Sequence, residues 1–173
     1  EQLQGKSLSY NNLVDLDAAW QMPNEFEKPC VAIIKHTNPC GLAIGDNLID
    51  AFDRAFACDT VSAFGSIITV NREIDADFVR NLKKLFVEVL AAPSFTAEAL
   101  QVLARRKKNC RVMLARGATD MGNPGPLHPG DIVLKGIGDG LLAMSADRAG
   151  TDRSNWRVVT DRQPSDAEME ELA

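Results

Sequence analysis

The stretch Val31-Ala-Ile-Ile-Lys-His-Thr-Asn-Pro-Cys-Gly41 decides how the rest of the chain is read. Its first four residues are apolar and mostly β-branched, the pattern of a buried strand. Lys35-His36 falls where that strand has to stop, because Asn38-Pro39 and Gly41 break regular pairing. One of only two histidines therefore sits at the carboxyl end of a strand, the edge at which open α/β sheets bind ligands. Two readings of the pair stand open from these residues. Either a proton-transfer group lies beside a fixed cation in a catalytic arrangement, or Lys35 is solvated and His36 is a hydrogen-bonded residue closing a turn.

Upstream, residues 3–12 are polar and contain a glycine, and Leu13, Leu16, Ala19 and Trp20 then recur at helical spacing. A polar connection from Pro23 to Pro29 leads into the strand Cys30 to Lys35. Downstream, Asp46 is placed to cap a helix whose Leu48, Ile49, Phe52, Ala55 and Phe56 form one apolar face. Ile67 to Val70 reads as a second buried strand, and Gly65 before it marks either a tight backbone or a close ligand approach. Ile74, Phe78, Leu82 and Leu85 repeat helically, and Phe86 to Ala91 forms a third strand. Glu88 is its one charged residue, expensive to bury alone, so it points outward or meets a ligand's donors.

Thr96 caps a further helix, with Phe95 and Leu100 spaced for a hydrophobic staple. Cys110 to Ala115 is a fourth strand. Residues 116–130 are rich in Gly and Pro and read as an irregular excursion carrying the second histidine, His128, as an exposed loop residue. Short strands are expected at Ile132 to Leu134, Leu141 to Met144 and Arg157 to Thr160, and Ser165-Asp-Ala-Glu168 is a capping box. Strands alternating with amphipathic helices give an α/β domain, a layered mixed sheet with helices on both faces.

Composition limits the function classes. A chain of 173 residues with 45% hydrophobic and 25% charged residues is long enough for one domain with a substantial core. A net charge of -5 argues against nonspecific nucleic-acid binding, and the basic run Arg105 to Lys108 reads as the solvated end of a helix. No apolar run approaches the length of a membrane span. Cys30, Cys40, Cys58 and Cys110 mostly lie in or beside apolar segments and read as free thiols in a cytoplasmic protein. Pro39-Cys40 matches part of the zinc deaminase signature, but Ala43 stands where its second cysteine belongs and no His-x-Glu occurs, so no metal is expected. Dinucleotide, P-loop and Gly-x-Ser-x-Gly motifs do not occur either.

Five blocks, taken in order, carry a resemblance: Leu3-Gln-Gly-Lys-Ser-Leu-Ser-Tyr-Asn-Asn12, Lys35-His-Thr-Asn-Pro-Cys-Gly41, Val61-Ser-Ala-Phe-Gly65, Phe86-Val-Glu-Val-Leu-Ala-Ala-Pro93 and Val159-Thr-Asp-Arg-Gln-Pro164. Together they resemble the AICAR transformylase region of the bifunctional purine biosynthesis enzymes. The match runs over residues 1–173 and is weakest at 116–130. It implies a partial transformylase domain built from cytidine-deaminase-like repeats, without the companion IMP cyclohydrolase domain. The implied activity moves a formyl group from 10-formyltetrahydrofolate, the co-substrate, to the 5-amino group of AICAR in purine (IMP) biosynthesis. The catalytic lysine and histidine of the family fall on Lys35 and His36, and its substrate contacts fall on Phe64, Gly65 and Glu88. A homodimeric, cytoplasmic parent enzyme without a metal is implied as well.

The chemistry suits those residues. The 5-amino group of an aminoimidazole carboxamide is a weak nucleophile, and a base at His36 assists its attack by taking its proton. Lys35 supplies a fixed cation for the charge developing on the formyl oxygen. Adjacent strand residues face opposite sides, so both groups meet one substrate only if the backbone turns at Lys35-His36. The family's Arg-Tyr-Gly-x-Asn-Pro-His-Gln segment and its later arginines do not occur here. Residues 1–173 therefore read as a third of a composite site, inactive alone. A noncatalytic binding or assembly module on the same scaffold is the competing reading.

Overall fold

Residues 30–35 form an interior strand of the sheet, and every side chain from Val31 to Ile34 enters a core on one face or the other. In the structure, a computed structural model that describes residues 1–83, 85–115, 132–145, 154 and 156–172, this segment is strand β2 (Cys30–Lys35). Val31 and Ile33 enter one apolar cluster while Ala32 and Ile34 enter another. Period-two alternation with both faces covered gives the continuous apolar run seen in the sequence.

The chain divides into two units, residues 1–126 and 127–173. In the first, the elements run β1 (Gln2–Gln4), α1 (Tyr10–Gln21), a short 3-10 helix (Met22–Glu25), β2, β3 (Asn38–Ile44), α2 (Leu48–Cys58), β4 (Ser66–Val70), α3 (Ala76–Asn81), β5 (Val87–Ala92), α4 (Ala97–Arg106) and β6 (Arg111–Leu114). The sheet order is β1-β6-β5-β4-β2-β3. Strands β4, β5 and β6 are parallel, β2 is antiparallel to both β4 and β3, and β1 is antiparallel to β6. Helices α2, α3 and α4 cover one face with Leu48, Phe52, Phe78, Ala99 and Leu103. Helix α1 covers the other with Ala19, flanked by Leu16 and Trp20. The mixed sheet with helices on both faces is thus the architecture found.

Capping follows the side chains available. Ser9 and Asn12 form a capping box at α1, and Thr96 accepts from Ala99 N at α4. Asn47, one residue beyond the expected Asp46, caps α2 by accepting from Ile49 N and Asp50 N. Asn71 holds the connection before β2: its amide donates to the carbonyls of Pro23, Phe26 and Lys28, and its Oδ1 accepts from Cys30 N.

Three expectations are corrected. Asn38-Pro39 and Gly41 do not end pairing; they belong to β3, which returns antiparallel along β2. Pro39 is tolerated because β3 is an edge strand with a register shift opposite Ile33 and Ile34. Gly41 is demanded by packing, since a Cβ there would lie 1.9 Å from the Ala55 carbonyl oxygen of α2. Residues 2–4, which overlap the polar segment 3–12 where no strand is expected, form strand β1, whose apolar pattern is too short to register. Residues 157–160, expected as a strand, are irregular and form no strand pairing among the described residues.

The second unit contains the hairpin β7 (Ile132–Ile137) and β8 (Gly140–Ser145), turning at a Gly138 with φ 46, and helix α5 (Asp166–Glu171) with the expected Ser165–Glu168 capping box. His128 and residues 116–130 lie outside the described residues.

Candidate functional site

The turn between β2 and β3 has two residues, His36 and Thr37, flanked by the Lys35–Asn38 pair. Both turn residues have positive φ, 54° and 62°. A two-residue hairpin of this kind demands left-handed backbone at both central positions, which glycine and asparagine supply at least cost. Histidine and a β-branched threonine pay strain there, of order 1–2 kcal/mol each. Local bonds hold the conformation: Thr37 N donates to Asp15 Oδ1 of α1 at 2.8 Å, Thr37 Oγ1 donates to His36 O at 2.7 Å, and Asn38 Nδ2 donates to the same carbonyl at 2.8 Å. The turn begins directly after Lys35, so the backbone reversal that the pair needs is present.

The edge on which this turn sits differs from the one expected. Lys35 ends β2, but β2 runs against the parallel strands, so its carboxyl end lies beside the amino ends of β4, β5 and β6. Phe64-Gly65 precedes β4, Glu88 is the second residue of β5, and Arg111 opens β6. All the predicted site residues therefore gather along one edge, with a strand spacing of about 4.8 Å separating neighbours.

Lys35, Phe64 and Gly65 meet directly. The half-buried Lys35 donates from Nζ to the Phe64 carbonyl at 3.0 Å, leaving two ammonium protons for other acceptors. Gly65 has φ 75 and donates from its N to Phe86 O at 2.8 Å. The backbone conformation is what requires glycine here, since an added Cβ would meet only the Phe86 ring at ordinary contact distance, 3.6 Å. The Phe64 ring, 60% exposed, lies against that of Phe86 with centroids 5.3 Å apart. Asp59 stands nearby: hydrogen bonds from Ser62, with smaller contributions from Val61 and the Lys35 charge, hold its carboxyl below the usual range. Cys40 is pushed up by burial and by Asp59, against the pull of Lys35, so it rests as a neutral thiol. Ser66, next to Gly65, is fully buried with no hydrogen-bond partner for its Oγ among the described residues.

Glu88 is not joined to Lys35 or His36 by any hydrogen bond or ion pair. The strand register skips it: Ser66 pairs with Val87 and Ile67 with Val89, leaving Glu88 as the extra residue of a bulge. Bulges re-aim side chains, and this one directs Glu88 Oε2 onto Arg111 Nη1. Arg111 in turn donates from Nε to Ser7 O at 2.9 Å, ahead of α1. Neither outward exposure nor a ligand is needed to explain the charge; a partner on the neighbouring strand accounts for it. Oε1 of Glu88 has no partner among the described residues and remains an acceptor.

Sequence reasoning missed Arg111, Asp15 and Phe86. Arg111 was detectable, as the opposite charge opening the strand that neighbours Glu88's. Asp15 and Phe86 act through tertiary contacts that no local pattern announces. No cluster of three or more His, Cys, Asp or Glu side chains suited to a metal occurs among the described residues, and no helix there is long and apolar enough to cross a membrane.

Comparison with known proteins adds the family. The bifunctional purine biosynthesis protein PurH of Bradyrhizobium diazoefficiens is 46% identical over 174 residues, covering 99% of this chain and 32% of that protein. PurH of Nostoc punctiforme is 48% identical over 171 residues, covering 98% and 32%. PurH of Clostridium acetobutylicum is 42% identical over 173 residues, covering 99% and 32%. The chain thus spans about a third of the length of these curated relatives. The solved structure of RibD from Acinetobacter baumannii superposes with a TM-score of 0.38 at 14% identity, over 49% of this chain and 28% of that one; so slight a likeness has no bearing on the fold. The profile of the AICARFT/IMPCHase bienzyme family matches residues 1–173, and the chain belongs to that family.

Proposed function

We propose that this chain supplies the lysine–histidine part of a formyltransferase site that moves the formyl group of 10-formyltetrahydrofolate to the 5-amino group of AICAR. The observation carrying the reading is the joining of Lys35 to Phe64-Gly65, at 3.0 Å, beside a strained His36-Thr37 turn. Strain of this kind persists where the surroundings enforce it, and it clusters at functional sites.

In this reading the 5-amino nitrogen attacks the formyl carbon while His36 takes a proton from it. Lys35 faces the formyl oxygen with the ammonium protons that Phe64 leaves free, stabilising the developing negative charge. Collapse breaks the bond from the formyl carbon to N10 of the folate, and the imidazolium returns the proton to N10. Glu88, oriented by Arg111, accepts from a donor of AICAR through Oε1, and Gly65 keeps the backbone at Phe64 in place. No step calls for a metal. The same proposal covers a cytidine-deaminase-like core, a homodimeric parent that also carries the cyclohydrolase domain, and residence in the cytoplasm.

The chain alone is expected to be inactive, because the resemblance implies further nucleotide-binding arginines that residues 1–173 do not supply. Calorimetric titration with AICAR, alongside a turnover assay with 10-formyltetrahydrofolate, tests this. Weak binding without turnover agrees with a composite site; micromolar binding with turnover refutes it.

A further inference from the structure

A second cationic place lies on the same sheet edge, beyond Phe86. Lys83, Leu85, Phe86, Val87, Arg106, Lys107, Lys108, Asn109 and Cys110 line a cavity of about 490 Å³. Four of the nine are cations and none is a carboxylate. In a chain of net charge -5 this is a marked local reversal. Several basic side chains elsewhere are paired with carboxylates, Arg54 with Asp50, Arg80 with Asp77 and Glu98, and Arg111 with Glu88, while Lys35 and Arg72 donate to backbone carbonyls. Among the described residues, Lys83, Arg106, Lys107 and Lys108 have no carboxylate partner.

The walls are built rather than frayed. Lys107 is half-buried and donates from Nζ to Leu85 O at 2.6 Å and to Lys83 O at 3.5 Å, while Gln4 Nε2 donates to Lys107 O at 3.0 Å. Lys107 thus ties the end of α4 to the start of β5, and burial lowers its pKa. A desolvated ammonium regains stability from an anion placed against it. Lys83 is held at φ 47, the third non-glycine residue with positive φ, its N donating to Arg80 O at 3.2 Å. Phe86 is shared with the candidate site, where its ring touches Phe64 and its carbonyl takes the Gly65 N–H.

We propose that this cavity binds a small, multiply charged anion bearing phosphate or carboxylate groups. Lys83, Arg106 and Lys108 meet the charges, Lys107 offers its remaining proton from the cavity wall, and the occupant rests against Phe86. The inference stands on the cavity and does not require the formyl-transfer reading.

Calorimetric titration of the chain with pyrophosphate and with citrate at low ionic strength tests it, the tighter of the two naming the charged group. Binding is expected at submillimolar to millimolar strength, weakening as salt is raised. The double variant Lys83→Gln/Lys108→Gln should weaken it about tenfold, with Arg106→Gln as a second variant should that pair disturb folding. Lys6→Gln/Lys28→Gln, equal in charge change but elsewhere, should bind as the parent does. Absence of binding by both probes, retention of full affinity in the cavity variants, or equal loss in the Lys6/Lys28 control would each overturn the proposal.

Discussion

Replacing Arg111 by Met removes the guanidinium that pairs with Glu88 and bonds the Ser7 carbonyl, while leaving most of the apolar stem. Breaking a fully buried ion pair by deleting one partner costs about 3–5 kcal/mol, because the other charge is stranded. Here the Arg111 side chain is 12% exposed but that of Glu88 is 34% exposed, so water reaches the stranded carboxylate and the cost falls to about 1–2 kcal/mol. Loss of the charged donor at Ser7 O, 2.9 Å away, adds about 1 kcal/mol. The sum, about 2–3 kcal/mol, corresponds to a lowering of Tm by roughly 10 °C for a unit of this size. Urea and thermal unfolding of Arg111→Met measure it. Adding Glu88→Gln removes the stranded charge and should restore about 1–2 kcal/mol, giving a coupling of that size in the double-mutant cycle. A cost within about 0.5 kcal/mol, the range of ordinary surface substitutions, or a coupling near zero would refute the view that Arg111 is what makes Glu88 tolerable at this edge.

Other outcomes follow from the same structure. Gly41→Ala drives a Cβ into the Ala55 carbonyl and should cost about 3 kcal/mol or more in urea unfolding; a near-neutral result would mean that α2 moves away from β3 freely. Thr37→Gly relieves a β-branched residue at φ 62 and should raise stability by up to about 1 kcal/mol, read as an increase in Tm. Burial raises the Cys110 thiol to about 12 and that of Cys30 to about 11 from an ordinary 9.0. Because the fold favours the neutral thiols, their contribution is whole below pH 9 and is lost as pH climbs towards 11 and 12. Iodoacetamide at pH 8 should therefore modify the exposed Cys58 first, with Cys30 and Cys110 protected until the chain unfolds.

Most of the fold was legible where a single strand or helix buries a whole face. The run Cys30 to Ile34, the amphipathic α2 and the Thr96 cap all bear their structure in local pattern, and each was found. Strand β1 was not, since three residues carry no periodicity and its pairing with β6 is a contact across more than a hundred residues. Strand β3 was hidden by Pro39 and Gly41, which usually break pairing but here sit at an edge shift and under a close helix. The antiparallel pairing of β2 with β4 is what placed Lys35-His36 beside the amino ends of the parallel strands, opposite to the edge expected. In the site, Lys35 bonds the Phe64 carbonyl next to Gly65, and this contact, the partner of Glu88 and the anchoring of the turn by Asp15 all depend on tertiary neighbours. A residue's chemistry can be read from its type, but its hydrogen-bond partner depends on which strands become neighbours.

Whether Lys35 and His36 act as cation and base at one turn is tested most directly by one comparison. In the longer bifunctional protein proposed to carry this chain, formyl-transfer turnover of His36→Ala is measured beside its cyclohydrolase activity. The expected result is a fall of at least ~10²-fold in formyl transfer, as for loss of a general base, with cyclohydrolase activity kept. Near-normal formyl transfer by His36→Ala would contradict the assignment.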